Sequence, residues 1–423
     1  MKSEIILEEL GNLVEIKGGK RLPKGTKLSK EKTNHPYIRV KDMHGQKNLR
    51  ITPDFEYVTE DVFNAIKKYT VSKNDIILSI VGTIGLVSKI SESLDGANLT
   101  ENCVKLINFK NIDEDYLYYY LSSEIGQHEI YKGIVGSTQP KLPIYNIKKV
   151  KVPMREIKEQ KAIANILSTL DEKIETNNQI NEKLEEMAQA LFKHWFVDFE
   201  FPNENGEPYK SSGGEMVESE LGMIPKGWKI KRVGEIVNIT RGASPRPIKD
   251  YIDAIGMPWV KISDATESKS KYINETKEFI KEEGIPKSKK VSPGTLILSN
   301  SATPGIPKIM LIEACVHDGW LVFQDYQYIT KEFLYYFLMN EREKILTLSN
   351  GSVFRNLKTD ILKNYKIVVP TLELIEKANK IFQDFNNEIE RRTKEIKILS
   401  NIRDTLLPKL MSGEIRIPME DGV

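Results

Sequence analysis

The feature that most constrains the fold is a polar stretch from Glu156 to His194 that contains neither glycine nor proline. Apolar residues recur in it at alternating spacings of four and three, which is the pattern of a helix that packs along one partner helix. At ~1.5 Å per residue such a helix would be about 57 Å long, well above the usual globular length. An ordinary amphipathic surface helix is the alternative, and we predict the long coiled-coil helix.

The chain repeats itself in five blocks that keep their order. The second copy of each block follows the first by 215 to 223 residues, and the offset falls along the chain because the loops differ in length. The matched blocks begin at Leu10 and Val233, Pro36 and Pro258, Val71 and Val291, Tyr116 and Phe333, and Gly136 and Gly351. Five ordered matches indicate a duplicated unit.

The repeat includes the long helix. Shifting its apolar seam by 215 residues predicts a second long helix from about Leu374 to Leu407, which Pro408 would end. The predicted seam residues are Ile163, Leu167, Leu170, Ile174, Leu184, Leu191, Phe385, Ile389, Ile396, Leu399 and Leu406. The sequence therefore predicts the order unit, helix, unit, helix.

Polar residues interrupt both seams. Asn177 and Asn181 fall in the first seam, and Arg392 and Arg403 fall in the second. Such residues lower the stability of a helix pair but can fix its register. We expect the two asparagines to face the helix that carries the two arginines.

Each globular unit is predicted to mix strands and helices. The runs Ile76–Ile80 and Thr295–Ser299 are short, apolar and bounded by turn-forming residues, which indicates buried strands. The runs Asp113–Ile130 and Lys331–Leu346 begin with acidic residues and have apolar residues at helical spacing. The stretch Phe201–Met216 is rich in Gly, Pro, Ser and Asn, and we predict a loop there.

The composition favours a cytoplasmic protein. No apolar run approaches the ~18 residues that a bilayer-spanning helix needs, and the first ten residues carry acids where a signal peptide would carry bases. The two cysteines, Cys103 and Cys315, lie in different repeats and cannot form a disulfide framework. We expect the cytoplasm and no membrane partner.

Basic residues are concentrated near the start of the first repeat. From Lys17 to Arg50 there are eleven basic and two acidic residues, a net formal charge of +9, whereas the whole chain carries +2. A local field of this size favours a polyanionic partner such as nucleic acid. A solvated loop is the alternative, since lysine-rich loops are common.

Catalytic motifs are missing from the sequence. There is no phosphate-binding loop of the Walker type and no glycine-rich turn for a dinucleotide or S-adenosylmethionine. The five histidines have no metal-ligand spacing. We therefore expect no catalytic, cofactor-binding or metal-binding residue in this chain.

Residues that suit recognition recur at matching points of the two repeats. Glycine and arginine follow an apolar strand in each copy, where glycine would let the backbone approach a ligand and arginine can bind guanine or phosphate. The later Gly-Ser loop carries glutamine and lysine in one copy, and arginine and asparagine in the other. The predicted DNA contacts are Lys20, Arg21, Lys24, Arg39, Lys41, Gln139, Lys141, Arg241, Arg246, Lys261, Arg355 and Asn356. Plain turns at the Gly-Ser pairs are the alternative.

The chain resembles the specificity subunit of type I restriction-modification systems. Four strings carry the resemblance, and the duplicated layout extends it over essentially the whole chain. The strings are QKAIANILSTLDEKIETNNQ from Gln160, LFKHWFVDFEFP from Leu191, NGEPYKSSGGEMVESELGMIPKGW from Asn205 and LSNIRDTLLPKLMSGEIRI from Leu399. The resemblance implies an α+β fold in which two duplicated target recognition domains are separated by two long helices that form an antiparallel coiled coil.

The resemblance also implies a domain layout and a set of partners. The predicted segments are recognition domain 1 (1–155), first spacer helix (156–199), linker (200–223), recognition domain 2 (224–372), second spacer helix (373–410) and tail (411–423). Each domain would bind one half of a bipartite double-stranded DNA site. The helices would set the spacer and dock two methyltransferase subunits.

The catalytic steps are implied to lie on other subunits. S-adenosylmethionine is expected on the methyltransferase subunits, and ATP and Mg on restriction/translocase subunits, so this chain would be non-catalytic. The alternative from another class is a tandem DNA-binding regulator or coiled-coil adaptor without methyltransferase partners. Co-purification with methyltransferase subunits would separate the two.

Overall fold

The computed structural model describes residues 6–268, 270–348 and 356–417. The chain forms two compact units. The first extends to Glu175 and resumes at Ile396, and the second comprises Thr176 to Glu395. Each unit therefore contains one recognition domain with a segment of both long helices.

The first unit contains nine strands and five helices of its own among the described residues. Its strands are β1 (Ile6–Glu9), β2 (Glu15–Gly18), β3 (Tyr37–Ile38), β4 (Asn48–Leu49), β5 (Ile76–Ser79), β6 (Val87–Ile90), β7 (Asn98–Leu99), β8 (Cys103–Ile107) and β9 (Lys151–Met154). Its helices are α1 (Leu10–Leu13), α2 (Glu60–Ile66), α3 (Glu114–Ser122), α4 (Glu124–Lys132) and α5 (Ile144–Ile147). The long helix α6 (Ile157–Phe192) begins in this unit and ends in the second.

A five-stranded sheet organises the first unit. Its order is β2-β8-β5-β6-β4, antiparallel except for the parallel pair β4–β6. In its central strand, Ile76 and Leu78 face one hydrophobic core and Ile77 faces another. Because both faces of the sheet are covered, the strand is apolar throughout rather than alternating, which explains the short apolar run in the sequence.

The second unit has the larger set of strands. They are β10 (Met216–Ser219), β11 (Gly222–Pro225), β12 (Lys229–Arg232), β13 (Asn238–Arg241), β14 (Ile252–Asp253), β15 (Met257–Val260), β16 (Tyr272–Ile273), β17 (Glu278–Ile280), β18 (Lys289–Val291), β19 (Leu296–Ser299), β20 (Pro307–Met310), β21 (Ala314–Val316), β22 (Trp320–Gln324) and β23 (Lys366–Val369). Its helices are α7 (Val233–Ile236), α8 (Ile262–Glu267), α9 (Lys331–Thr347) and α10 (Thr359–Asn364), followed by the long α11 (Leu372–Ser412), which ends in the first unit.

The main sheet of the second unit repeats that of the first. Its order is β13-β22-β19-β20-β16, and only the pair β16–β20 is parallel. Leu296 and Leu298 again face one core while Ile297 faces another. The second unit adds a five-stranded sheet, β14-β17-β15-β21-β18, where the described part of the first unit has the two-stranded β3-β7. The duplication read from the sequence is therefore a duplication of the fold.

One predicted helix is divided in two. The run from Asp113 to Ile130 forms α3 and α4, because Ser123 leaves the helical conformation and its hydroxyl caps α4 by accepting the N–H of Gly126. The matching run in the second unit is the continuous α9, which Thr330 caps.

The long helices run antiparallel within the first unit. Arg155, just before α6, donates to the carbonyl oxygens of Leu410 and Met411 near the end of α11, both at 3.2 Å. Further along α6, Asp171 accepts a bond of 2.8 Å from Arg403. Residue numbers thus rise on one helix as they fall on the other.

The same direction holds within the second unit. The Asn177 side chain accepts a bond of 2.9 Å from Arg392, whereas further along α6 Glu185 shares the Lys271 amine, at 3.0 and 2.8 Å, with Asn386, which lies earlier on α11. The Asn181 side chain lies 3.4 Å from the Thr393 hydroxyl. Both asparagines therefore face α11 as expected, the first opposite an arginine and the second opposite a threonine. Arg403 pairs with Asp171 rather than with an asparagine.

The predicted seam residues all lie at least partly inside. Three are buried and the other eight are half-buried, so each helix turns the predicted row away from solvent. The buried ones are Ile163, Leu167 and Ile389, and the half-buried ones are Leu170, Ile174, Leu184, Leu191, Phe385, Ile396, Leu399 and Leu406. The fold is thus α+β, with two copies of a mixed domain and a pair of antiparallel helices in each unit.

The prediction that Pro408 ends the second helix is wrong. The helix continues through it to Ser412. A proline removes one intrahelical hydrogen bond, but the turn beyond it is held because Leu410 and Met411 are buried in the core of the first unit. Arg155 also binds the carbonyl oxygens of these two residues. Tertiary packing therefore outweighs the local preference.

Over residues 6–268, 270–348 and 356–417, every helix is too short or too polar to cross a membrane.

Candidate nucleic-acid interface

Four segments of the first unit meet at one end of its main sheet. The strand β2 ends there, β8 begins there and β5 ends there. Gly19 N–H donates to Cys103 (3.0 Å), Ile80 N–H donates to Asn102 (2.8 Å), and Leu142 N–H donates to Ile80 (2.9 Å). These bonds bring together the loops after β2, before β8 and after β5, and the loop 136–141. We call this edge the loop end of the sheet.

The second unit builds the same loop end. Gly242 N–H donates to Trp320 (2.9 Å), Asn300 N–H donates to Gly319 (2.8 Å), and Leu357 N–H donates to Asn300 (2.8 Å). The donors and acceptors stand at the repeat positions of the first unit. The loops after β2 and β13 and the later Gly-Ser loop of each repeat, which were predicted to touch DNA, therefore lie at the loop ends, with the described part of the last loop beginning at Asn356.

A glycine at each loop end is required by the fold itself. A Cβ atom on Gly19 would lie 2.0 Å from the Thr100 carbonyl oxygen, and one on Gly242 would lie 2.1 Å from that of His317. The expectation that these glycines admit a ligand stays a prediction, and the fold supplies a separate reason for them. They let two neighbouring backbone segments of the same sheet approach each other.

Replacing Gly19 by alanine is expected to lower the free energy of unfolding of the first unit by about 1–3 kcal/mol, because backbone atoms must move to admit the methyl group. Gly18 is the matched control, since its added Cβ would meet only Ile144 Cδ1 at 3.9 Å. Urea unfolding of both variants tests this. Equal stability of Gly19→Ala and Gly18→Ala would contradict the close approach.

The basic residues after β2 lie on the surface of the first loop end. Lys20 is exposed, with its amine 5.7 Å from the centre of the Tyr69 ring. Arg21 is 80% exposed, and its Nε lies 2.6 Å from a Glu101 oxygen. Lys24 is exposed and has no carboxylate partner among the described residues. All three are accessible to a polyanion.

Arg39 and Lys41 are held by carboxylates. Both contact Glu56, Lys41 at 3.0 Å. Arg39 also lies 3.6 Å from Asp42, whose carboxylate accepts the Arg39 backbone N–H at 2.8 Å. These two cations would have to exchange partners before binding phosphate.

Lys261 occupies the position of Arg39 in the second unit. Its side chain contacts Glu278, and its backbone N–H donates to Asp264 at 2.7 Å. The cation and its two acids are thus repeated at matching positions, and they tie the chain after β15 to the start of α8. This position is a structural ion pair in both units.

The segment from Lys17 to Arg50 carries less unpaired positive charge than its composition indicates. Six of its eleven bases form ion pairs with acids from outside the segment: Lys17, Arg21, Arg39, Lys41, Lys47 and Arg50. The other five have no carboxylate partner in the described chain: Lys20, Lys24, Lys27, Lys30 and Lys32. The remaining positive charge is therefore concentrated from residue 20 to residue 32.

The second predicted loop contributes polar side chains to the first loop end. Gln139 and Lys141 are exposed, and the Lys141 backbone bridges to Val81 and Val135. In the second unit Asn356 is exposed at the matching place. Arg355 lies outside the described residues.

An acidic residue that was not predicted organises the arginines of the second loop end. Asp318 accepts a bond of 2.5 Å from the Ser244 hydroxyl and lies 3.3 Å from Arg246. Its backbone carbonyl accepts Arg241 Nε at 2.7 Å. Glu101 stands 217 residues earlier, at the matching point of the first unit. That offset equals the offset of the aromatic blocks at Tyr116 and Phe333, which is the signal that could have revealed this pair.

These carboxylates are ionised at neutral pH. Partial burial raises the pKa of Asp318, but bonds from Ser244 and the backbone and the nearby Arg246 outweigh it, and its pKa is lowered. For Glu101, partial burial is likewise outweighed, by the hydrogen bond from Arg21 first, and the pKa is lowered. Each loop end therefore presents a negative charge among its positive ones.

The neighbouring His317 accepts a hydrogen bond and has a lowered pKa. Burial lowers its pKa; Asp318 opposes this shift, while Lys261 and Arg241 add to it. Its Nδ1 accepts the Gly319 N–H at 2.6 Å, so the proton of the neutral ring lies on Nε2.

A cavity of about 350 Å³ opens beside the first loop end. Its apolar wall includes Leu22, Tyr37 and Val40, and its charged rim includes Arg21 and Lys41. An apolar floor with a cationic rim can receive a planar, partly apolar group attached to an anionic backbone.

The chain matches a protein family found in restriction-modification systems. The family described as type I restriction modification DNA specificity domain matches residues 6–186 and 225–399. The type I restriction enzyme MjaIX specificity subunit of Methanocaldococcus jannaschii is 26% identical over 388 residues, covering 90% of this chain and 87% of that protein. The HindI specificity subunit of Haemophilus influenzae is 28% identical over 351 residues, covering 68% and 74%.

A solved structure has the same fold. The S subunit of a type I restriction-modification system from M. genitalium aligns over 99% of this chain and 98% of its own, with a TM-score of 0.55 and 19% identity. The two matched segments of the family coincide with the two copies of the fold. The chain therefore belongs to the type I restriction-modification specificity family and carries its DNA specificity domain twice.

Proposed function

We propose that each unit of this specificity subunit binds one half of a bipartite site in double-stranded DNA through its loop end. The observation that carries this proposal is the loop end itself, which is built twice by the same backbone bonds and carries different side chains. Lys20 and Arg21 follow Gly19, whereas Ala243 and Ser244 follow Gly242. Two similar frames with different side chains suit two different half-sites.

The side chains at the loop ends have the chemistry for this task. Exposed lysines supply sequence-independent attraction to phosphates. Arginine can donate two bonds to guanine, and glutamine or asparagine can pair with adenine. Arg21, Gln139, Arg246 and Asn356 are exposed and can provide such contacts.

The long helices are proposed to set the spacer and to dock two methyltransferase subunits. Met187 on α6 and Ile402 on α11 stand 215 residues apart, at matching positions of the repeat, and both are exposed. Single exposed apolar residues are common on protein surfaces, so the support for a partner surface comes from the recurrence of one at the same repeat position of both helices. Because one lies in each unit, two equivalent docking surfaces would result.

Catalysis is proposed to reside outside this chain. S-adenosylmethionine would be bound by the methyltransferase subunits, and ATP and Mg by restriction/translocase subunits. The chain would then contribute recognition, and the DNA sequence that it binds would determine where the whole complex acts. A tandem DNA-binding regulator without methyltransferase partners is the alternative function.

Methylation mapping of host DNA tests the proposal. We expect N6-methyladenine in two different short blocks separated by unspecified bases, and we expect these marks to vanish when the gene is deleted. Affinity purification of the full chain should recover methyltransferase subunits in a ratio near two to one. A free chain that binds one continuous site would favour the regulator, and marks that persist after deletion would exclude the proposed role.

A further inference from the structure

Both loop ends keep one acidic residue where DNA is proposed to bind. Glu101 lies in the turn before β8, and Asp318 lies in the turn before β22. Each follows the residue whose carbonyl oxygen packs against the required glycine, Thr100 against Gly19 in the first unit. The backbone therefore fixes the position of both acids.

Each of these two acids is the main partner of a largely exposed arginine. Glu101 accepts Arg21 Nε at 2.6 Å and the Thr100 hydroxyl at 3.1 Å. Arg21 is 80% exposed, so packing does not restrain it. In the second unit Arg246 is 72% exposed and lies 3.3 Å from Asp318.

A carboxylate at this place is unfavourable for DNA binding in general. Exposed ion pairs contribute little to protein stability, and a negative charge facing phosphates opposes association. An arginine that leaves its carboxylate for a phosphate would leave that carboxylate unpaired beside the DNA. A donor from the DNA relieves this opposition, and cytosine N4 or adenine N6 provides one.

We propose that Glu101 and Asp318 are specificity-determining residues that hold the loop-end arginines away from phosphates and release them only on the correct bases. The proposal rests on the loop ends being the DNA-binding surfaces. A correct half-site offers an acceptor to the arginine and an amino group to the carboxylate. An incorrect half-site offers only phosphates, and the carboxylate then repels them.

The test uses Asp318→Asn and Glu101→Gln in the full chain, purified with the subunits that accompany it. Both substitutions keep the side-chain shape and remove the charge. For a duplex of unrelated sequence, we expect each variant to bind about tenfold more tightly than the parent. The plot of log affinity against log salt should steepen by about one for each arginine that reaches a phosphate.

Discrimination should fall at one half-site only. Asp318→Asn should bind duplexes with a changed second block nearly as well as the intact site, while changes to the first block remain as damaging as before. Glu101→Gln should show the reverse. Because the variants lie in different units, each remains informative where the other fails to fold.

Two acids at strand ends that lie away from the loop ends provide matched controls. Glu313 precedes β21 and pairs with Lys290 at 3.0 Å, and Glu15 begins β2 and pairs with Lys17 at 3.0 Å. Glu313→Gln and Glu15→Gln remove the same charge from similar pairs, and we expect neither to change discrimination.

Three results would overturn the proposal. They are an unchanged affinity for unrelated DNA in both variants, an equal loss of affinity for all duplexes, and an equal effect of the control variants. A parent complex with no preference for a bipartite duplex would instead contradict the proposed function. Binding by the parent complex therefore tests the proposed function before any variant is made.

Discussion

Replacing Lys271 by methionine is expected to lower the free energy of unfolding of the second unit by about 3–5 kcal/mol. The side chain of this lysine is 1% exposed, and its amine lies 3.0 Å from the Glu185 carboxylate. Methionine fills a similar volume but leaves Glu185, which is 19% exposed, without its cation. An unpaired, mostly buried carboxylate is the source of the expected cost.

The position of Lys271 explains why the cost should be large. Its amine also donates to the Tyr336 hydroxyl at 2.7 Å and to the Asn386 side chain at 2.8 Å. Glu185 lies on α6, Asn386 on α11 and Tyr336 on α9, while Lys271 directly precedes the edge strand β16. One ammonium group therefore ties the recognition domain of this unit to both long helices.

An exposed ion pair on the same helix provides the control. Lys183 is 73% exposed and lies 2.7 Å from Glu186, so Lys183→Met should leave the stability nearly unchanged. Urea unfolding and hydrogen exchange around β16 measure the loss. Adding Glu185→Gln to Lys271→Met should restore part of the stability, because the unpaired charge is then removed. A double variant no more stable than Lys271→Met would show that the lysine acts by packing alone.

The first unit joins its recognition domain to the long helix α6 with other residues. Lys47 donates to Ser168 on α6 at 2.6 Å and lies 3.1 Å from Asp115 on α3. Tyr119 donates to Asp171 on α6 at 2.6 Å. A largely buried lysine, 10% exposed, again joins the sheet edge to the helix, but its carboxylate comes from the recognition domain rather than from the long helix. The repeat thus preserves the position of the cation, not the source of its counterion.

The larger features of this fold are predictable from the sequence because each leaves a pattern. A long helix leaves a seam, and a duplicated domain leaves ordered blocks. Lys271 leaves none, since lysine is common in a chain with 29% charged residues and its partners lie 65 to 115 residues away along the chain. Pro408 misled the prediction because packing of the residues beyond it is invisible locally.

The candidate DNA-binding site is likewise predictable from the sequence only in part. The glycines at the loop ends stand out in the sequence, but their reason, contact with a neighbouring carbonyl oxygen, depends on strand pairing. Pairing of Arg39 and Lys41 with Glu56 likewise cannot be read from a count of charges in a window. Sequence patterns locate the loops, whereas the partners of each charge follow only from the fold.

Lengthening both long helices is expected to change the length of the DNA spacer that the complex prefers. Four residues added to each helix, after Glu175 and after Glu395, would extend the pair by ~6 Å at ~1.5 Å per residue. At ~3.4 Å per base pair along one strand, this corresponds to about two base pairs. Binding to the original site should fall by about 10³-fold, since only one half-site can then be matched.

The number of inserted residues also affects the helix pair itself. Four residues interrupt the alternation of four and three in the seam, whereas seven preserve it. A seven-residue insertion in each helix adds ~10.5 Å and should favour a spacer longer by about three base pairs. Selection of bound duplexes from a pool with random spacer lengths measures the preference of each variant. If helix length sets the spacer, the two insertions must give different optima, in the order of their lengths. An optimum that stays at the parent spacer in both would show that contacts other than the helix pair set the distance between the half-sites.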